Sequence, residues 1–234
     1  MVRTINEQEY TQRRNAILDA TSKLLLSHGY EQMTIQDIVE DLQISKGAFY
    51  HYFDSKQAAF SALLERMGQE LDRHLFPLVQ DSALPAPEKL QRFFDALAGW
   101  KQKRLSVLLA VTRVWYSDDN TLVRSHLRRE RRRRLTPLLA TIIREGCLTG
   151  IFQTDSPLEM AEVVVSLILD LGDALAEVLL EVSPRREMVQ RLERTLDAYT
   201  QTLLRALQVP PGSMTLVDPK LLSQWLLDVQ EGAE

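Results

Sequence analysis

Apolar residues recur along this chain at intervals of three and four, the spacing that places side chains on one face of an α-helix. Ile17, Leu18, Thr21, Leu24 and Leu25 form one such stripe, and His28-Gly29 supplies a stop after it. Leu158, Ala161, Val164, Val165, Ile168, Leu171 and Leu175 form a second, and Met188, Leu192, Thr195, Leu196, Tyr199 and Leu203 a third. No stretch keeps the period-two alternation of a half-buried strand. The pattern predicts an all-α protein with helices near 8–28, 34–42, 46–53, 55–80, 88–101, 104–117, 120–135, 137–147, 157–181, 186–207 and 218–230. Pro85, Pro87, Pro137, Pro157, Pro184, Pro210, Pro211 and Pro219 mark the joints.

The helices are not uniform. Those before Lys56 include short, closely spaced ones, whereas later ones lengthen and grow more apolar. The shift predicts a junction in or just after the 55–80 helix, with an N-terminal domain over 1–60 and a larger one over 61–234.

Met33 to Lys56 carries the most specific signals. Thr34 is a good N-cap with Asp37 at the capping-box position, and Met33 can staple onto Ile38. Gln43-Ile44 turns the chain, Ser45 is a second N-cap, and Ile44 can staple onto Phe49. Two short capped helices sharing an apolar seam describe a helix-turn-helix, whose second helix enters a DNA major groove N-terminus first. At about 100° per residue, Phe49, Tyr52 and Phe53 share one arc, expected to pack on the 8–28 helix. Lys46, Gly47, Tyr50 and His51 share another. That second arc begins small and polar, so backbone can approach a groove wall while ammonium, phenol and imidazole donate to phosphates or bases. Gly47 costs helix stability, and close approach would compensate.

Thr34-Ile35-Gln36-Asp37-Ile38, then Ile44 through Phe53 and Ser55-Lys56, resembles the DNA-binding signature of the TetR family of bacterial transcriptional regulators. Ile17-Leu18-Asp19-Ala20 and His28-Gly29-Tyr30 are similar to that family's first helix, so the likeness covers roughly residues 10 to 60. Farther on, Gly146 through Phe152 and Asp155-Ser156-Pro157 is loosely similar to a turn that precedes the family's dimerisation helices. The resemblance implies an all-helical homodimer, with a three-helix DNA-binding head on a ligand-sensing body, acting in most members as a repressor. It implies base-facing or groove-wall roles for Gln36, Lys46, Gly47 and Ala48. It implies phosphate contacts for Thr34, Tyr50, His51, Tyr52 and Lys56, with Ser45 as the cap of the recognition helix. Gly47 and Ala48 offer no hydrogen-bonding side chain, so shape readout would carry more of the specificity.

Charge modifies this picture. The 234 residues hold 28 Lys and Arg against 32 Asp and Glu, a net charge of -4, which excludes a globally basic coat. Residues 1–56 are themselves net acidic, with six basic and eight acidic side chains. A local rim of Arg13, Arg14, Lys46 and Lys56 would have to serve, aided by the helix N-termini at Thr34 and Ser45. DNA binding is then expected to depend steeply on salt.

Other features each admit two readings. Arg128 to Arg134, with Arg124 before it, is a solvated face paired with acids, or else a second nucleic-acid surface, an anion sensor or a bridge between subunits. Glu159, Glu162, Ser166, Asp170, Asp173, Glu177 and Glu181 form an acidic stripe, a solvent edge or a partner for those arginines. Asp170 and Asp173, deepest in the apolar stretch, could instead meet a cationic ligand, and Gly172 between them permits a close helix crossing. Phe93, Phe94, Trp100, Trp115, Tyr116 and Phe152 are core, or else the lining of a pocket between helices, with Arg113 and His74 as polar contributors. The broad apolar faces of 157–181 and 186–207 point to a four-helix interface between two copies. The tail helix with Leu221, Leu222, Trp225, Leu226 and Val229 is expected to pack back on the body.

No cofactor motif appears: there is no G-x-G-x-x-G and no P-loop. Four dispersed histidines and one cysteine, Cys147, give neither a metal-ligand pair nor a disulfide framework, so no metal is expected. A single cysteine, no secretory leader and no membrane-length apolar run favour a cytoplasmic protein. The reading is a ligand-responsive, dimeric DNA-binding regulator that holds a near-palindromic operator and is released by a small-molecule effector. A helical protein-interaction adaptor is the alternative, and a helical enzyme a more distant one.

Overall fold

The computed structural model describes residues 2–115, 121–181, 184–218, 220, 221 and 225, with the side chains of 2–6, Trp115 and 121–124 left aside. Among these residues the regular structure is helical: α1 (Val2–Gln32), α2 (Ile35–Asp41), α3 (Lys46–Tyr50), α4 (Lys56–Gln80), α5 (Ala86–Gln102), α6 (Leu105–Trp115), α7 (Thr121–Leu148), α8 (Pro157–Leu180) and α9 (Arg185–Ala206).

The chain's punctuation acts where the residue types require. At the end of α1, Gly29 leaves helical geometry with φ 74°, a conformation an L side chain rarely takes. Thr34 accepts from the Asp37 amide while the Asp37 carboxylate accepts from the Thr34 amide, a reciprocal capping box. Gln43 then takes a left-handed φ of 54°. Its amide donates to Glu40 and that of Ile44 to Val39, the two bonds of a Schellman stop built without glycine. Ser45 and Ser55 cap α3 and α4 through the amides of Ala48 and Ala58.

Helix α1 begins at Val2 rather than near 8, and two further boundaries differ from expectation. The predicted helices 120–135 and 137–147 are one helix, α7, with Pro137 inside it. An interior proline forfeits a backbone bond. Here it is exposed, while Leu135, Thr136, Leu139, Ala140, Ile142 and Ile143 around it are buried, so tertiary packing holds both halves in line. The recognition helix ends at Tyr50 rather than 53, because Tyr52 and Phe53 both return their amides to Phe49 before Ser55 starts α4.

Two apolar clusters organise the molecule. One joins α1 to α4 around Ile17, Leu18, Met33, Ile38 and Phe49, and takes in Val111 and Val114 of α6 and Leu127 of α7. The other gathers α5, α7, α8 and α9 around Leu90, Phe93, Leu139, Val164 and Leu203. Helix α4 belongs to both: Ala59, Phe60, Leu63, Leu64 and Met67 face the first, and Leu71, Leu75 and Val79 the second. It is an element that the two clusters share. Beyond α9, Met214, Leu216, Val217 and Trp225 return to the second cluster, as expected of the tail, and Gln91 pins Thr215 through both backbone groups. Leu222, Leu226 and Val229 lie outside the described residues.

Candidate functional site

Helix α3 is anchored from below. Phe49 is fully buried, Phe53 nearly so with the Arg14 guanidinium 5.1 Å over its ring, and Tyr52 packs on Tyr10 at 4.8 Å. The arc expected to pack on α1 does so. The opposite arc faces outward: Ser45, Lys46, Gly47, Tyr50 and His51 are exposed, as are Thr34 and Gln36 on α2, with Ala48 half-buried beside them. Tyr50 keeps 52% of its surface. A Cβ at Gly47 would meet only Ser45 Oγ, at 3.8 Å, so the fold itself has no need of glycine there.

The cations expected to form a rim are dispersed. Arg13 pairs with Glu9 at 2.7 Å, and Arg14 lies over Phe53. Lys56 donates to the Tyr30 carbonyl at 2.8 Å and stands 4.3 Å over that ring, closing the end of α1. Lys46 is the exposed cation at the start of α3. Lys23 is bonded to Asp41, and Gln36 Nε2 to Glu40 at 2.5 Å. The Asp37 carboxyl sits below its ordinary range because Thr34 donates to it through hydroxyl and amide.

A second site is a partly open cavity of about 380 Å³ where α4 to α8 and Trp225 meet. It lies between the two apolar clusters and touches the N-terminal half of α4 at Ala58, Ser61 and Ala62. Of the residues proposed from sequence as pocket lining, Trp100 and Asp173 face it. Phe93, Phe94 and Phe152 do not: each is nearly fully buried in the second cluster, where the stripes of α5 and α7 direct them. Of the two readings given for them, this is the core one. Arg113 and His74 are exposed, with His74 Nδ1 on the Glu70 carbonyl. Tyr116 and the Trp115 side chain lie outside the described residues.

Asp170 and Asp173 are both taken by Arg128, Asp170 at 2.5 Å. Arg132 donates to Ser166 at 2.9 Å, and Arg134 crosses to Asp72 of α4 at 3.2 Å. Arg128 and Arg132 of the run thus meet Asp170, Asp173 and Ser166 of the stripe, while Glu181 pairs with Arg191, and the cationic-ligand reading of Asp170 and Asp173 has its cation already in Arg128. Sequence reasoning missed Lys101 and singled out Arg131 only within the arginine run; both stand on the cavity wall. Burial holds the Lys101 ammonium down at about 8, and the neighbouring Arg131 charge adds to this against Asp173. Burial likewise lowers Arg131. The only hint was a lysine one turn beyond the apolar stripe of α5. Also missed was Lys89, 2% exposed, bonded to the Val79 carbonyl and Glu145.

The fold and the exposed arc together define a helix-turn-helix head on an all-helical body. Residues 17–63 match the profile of the bacterial regulatory proteins of the tetR family. The head is thus similar to the DNA-binding domain of that family. It is 28% identical over 142 residues to the HTH-type transcriptional repressor DhaR of Mycobacterium sp. strain GP1, spanning 61% of this chain and 71% of that one. With the HTH-type transcriptional repressor NemR of Escherichia coli K12 it shares 32% over 76 residues, 32% of this chain and 38% of that one. The crystal structure of a TetR-family transcriptional regulator from Pectobacterium atrosepticum has the same fold, with a TM-score of 0.63 at 18% identity, over 87% of this chain and 98% of that one. No helix among the described residues is long and apolar enough to cross a membrane.

Proposed function

We propose that this protein is a dimeric transcriptional repressor that binds a near-palindromic DNA operator and releases it when a small molecule occupies the cavity. The observation that carries the reading is the outward arc of α3, with Lys46, Gly47 and Tyr50 exposed over a fully buried Phe49. Residues 1–60 form the head and 61–234 the body in this reading, joined by α4. Gln36, Lys46, Gly47 and Ala48 meet base edges or groove wall. Thr34, Tyr50, His51, Tyr52 and Lys56 meet phosphates, and Ser45 fixes the helix start.

Two copies pair through α8 and α9. Leu158 and Val163 of α8 each keep 49% of their surface, which supports a covered face there. Pairing sets two recognition helices about one DNA turn apart, the spacing of a palindromic site. The cavity touches both apolar clusters through α4, so a ligand that fits only one setting of α4 shifts the heads. It must bind the DNA-free state more tightly to do so. A regulator of this kind works in the cytoplasm.

Fragments of the native genome selected by the purified protein, then footprinted, test the reading. The expected result is a protected, near-palindromic site and a steep fall of affinity with salt. Gln36→Ala should change sequence preference there. A monomer that retains no fragment at low ionic strength overturns the proposal.

A further inference from the structure

The polar groups on the cavity wall do not balance. Its carboxylates have arginine partners: Glu65 and Asp72 share Arg134, Glu130 holds Arg133, and Asp173 holds Arg128. Lys101 is different. It enters from α5 and places its ammonium over Gly172 of α8, where an added Cβ would lie 3.1 Å from Nζ. The absent side chain makes the room that the ammonium occupies. Among the described residues the carboxylate that acts on it is Asp173, which Arg128 already holds. Trp100 and Trp225, on the same wall, each have a buried indole N–H without an acceptor. The two buried wall atoms left without a partner are both donors, and the Lys101 cation stands on the same wall. Leaving such groups dry and unpaired is unfavourable. The rest of the wall is largely hydrocarbon, including Leu105, Leu108, Leu109, Leu169 and Leu179.

A ligand that satisfies this wall brings acceptors and a negative charge at one end and an apolar body at the other. We propose that the cavity binds an amphipathic monoanion, a carboxylic acid on a hydrocarbon body, whose carboxylate sits on Lys101. The volume of about 380 Å³ falls in the range of small-molecule sites. A neutral hydrocarbon would leave the donors unmatched, and an organic cation would face Lys101 and Arg131. The carboxylate would also reverse the unfavourable surroundings that depress the Lys101 ammonium. The inference deepens the effector reading above, since it names the class of molecule for that site.

The test is calorimetric, on the full-length protein without DNA. Decanoate is compared with decanol and decylamine, each below its micelle concentration, and 2-naphthoate with 2-naphthylmethanol. Each acid is expected to bind at least about tenfold tighter than its neutral or cationic analogue, the usual worth of a charge-assisted bond. Lys101→Met should abolish that preference while still binding the alcohol. Should Lys101→Met fail to fold, Gly172→Ala, which displaces the ammonium, should reduce the preference instead. Alcohols binding as tightly as acids, the amine binding tightest, or neither acid binding at all would overturn the proposal. Acid binding that leaves an operator complex intact would keep the anion site and refute its role as the release switch.

Discussion

The ring of Phe152 occupies the place where any side chain at position 146 would have to stand: a Cβ on Gly146 would lie 2.0 Å from Cδ2 of that ring. Both Ile151 and Phe152 also return their amides to the Gly146 carbonyl. The turn that leads into α8 is therefore closed by one ring on one glycine. Gly146→Ala should destabilise the protein by about 3 kcal/mol, the upper end of overpacking. Phe152→Leu should rescue part of it, so urea denaturation of both singles and the double should reveal strong coupling. Additive effects would contradict the contact.

Gly47 has the opposite standing. The free protein leaves space for a methyl group there. Gly47→Ala should raise stability by up to about 1 kcal/mol through helix propensity, yet weaken operator binding if α3 lies against a groove wall. Melting curves and gel shifts on the same sample separate the two effects. Unaltered DNA affinity would remove Gly47 from the interface.

Asp37 makes the capping box sensitive to acid. Its folded pKa is lowered by Thr34, so its stabilising effect is present above the ordinary carboxylate value and fades as pH falls through the folded one. Thr34→Val removes the hydroxyl that serves both ends of the box. Its melting temperature should fall at neutral pH, and the deficit should shrink below about pH 3 to that of the cap bond from the Asp37 amide, which does not titrate. An equal deficit at every pH would mean that the loss lies elsewhere.

Lys101 acts in the opposite sense. Its pKa drops from 10.5 to about 8 on folding, so between those values the unfolded chain holds more protons than the native one. Stability should therefore rise with pH through that window and be lower beneath it. Lys101→Met should be more stable than the parent at pH 7, by on the order of 2 kcal/mol, and should lack the rise. Urea midpoints from pH 7 to 10 measure both. A parent profile as flat as that of the variant would show that the ammonium is not desolvated.

Much of the head was legible in the sequence. Thr34 with Asp37, Ser45 and the Phe49–Phe53 arc are signals whose partners stand three or four residues away, so the spacing in the chain is already the spacing in space. The body was legible as helices and no further. Pro137 read as a break because local rules assign it one, and only the buried residues on either side explain why α7 continues. Phe93, Phe94 and Phe152 read as core or pocket alike, because an aromatic stripe carries no mark of what it faces.

By itself, then, the chain determined its helices, their caps and the outward face of α3, since each depends on contacts within one helical turn. Tertiary structure decided the pairings. Arg128 meets Asp170 and Asp173 across 42 and 45 residues of chain, and Phe152 fills the space over Gly146. Lys101 reaches Gly172 from another helix. Which residues meet in this way depends on how helices cross, and that is settled by the fit of whole apolar faces rather than by any local spacing.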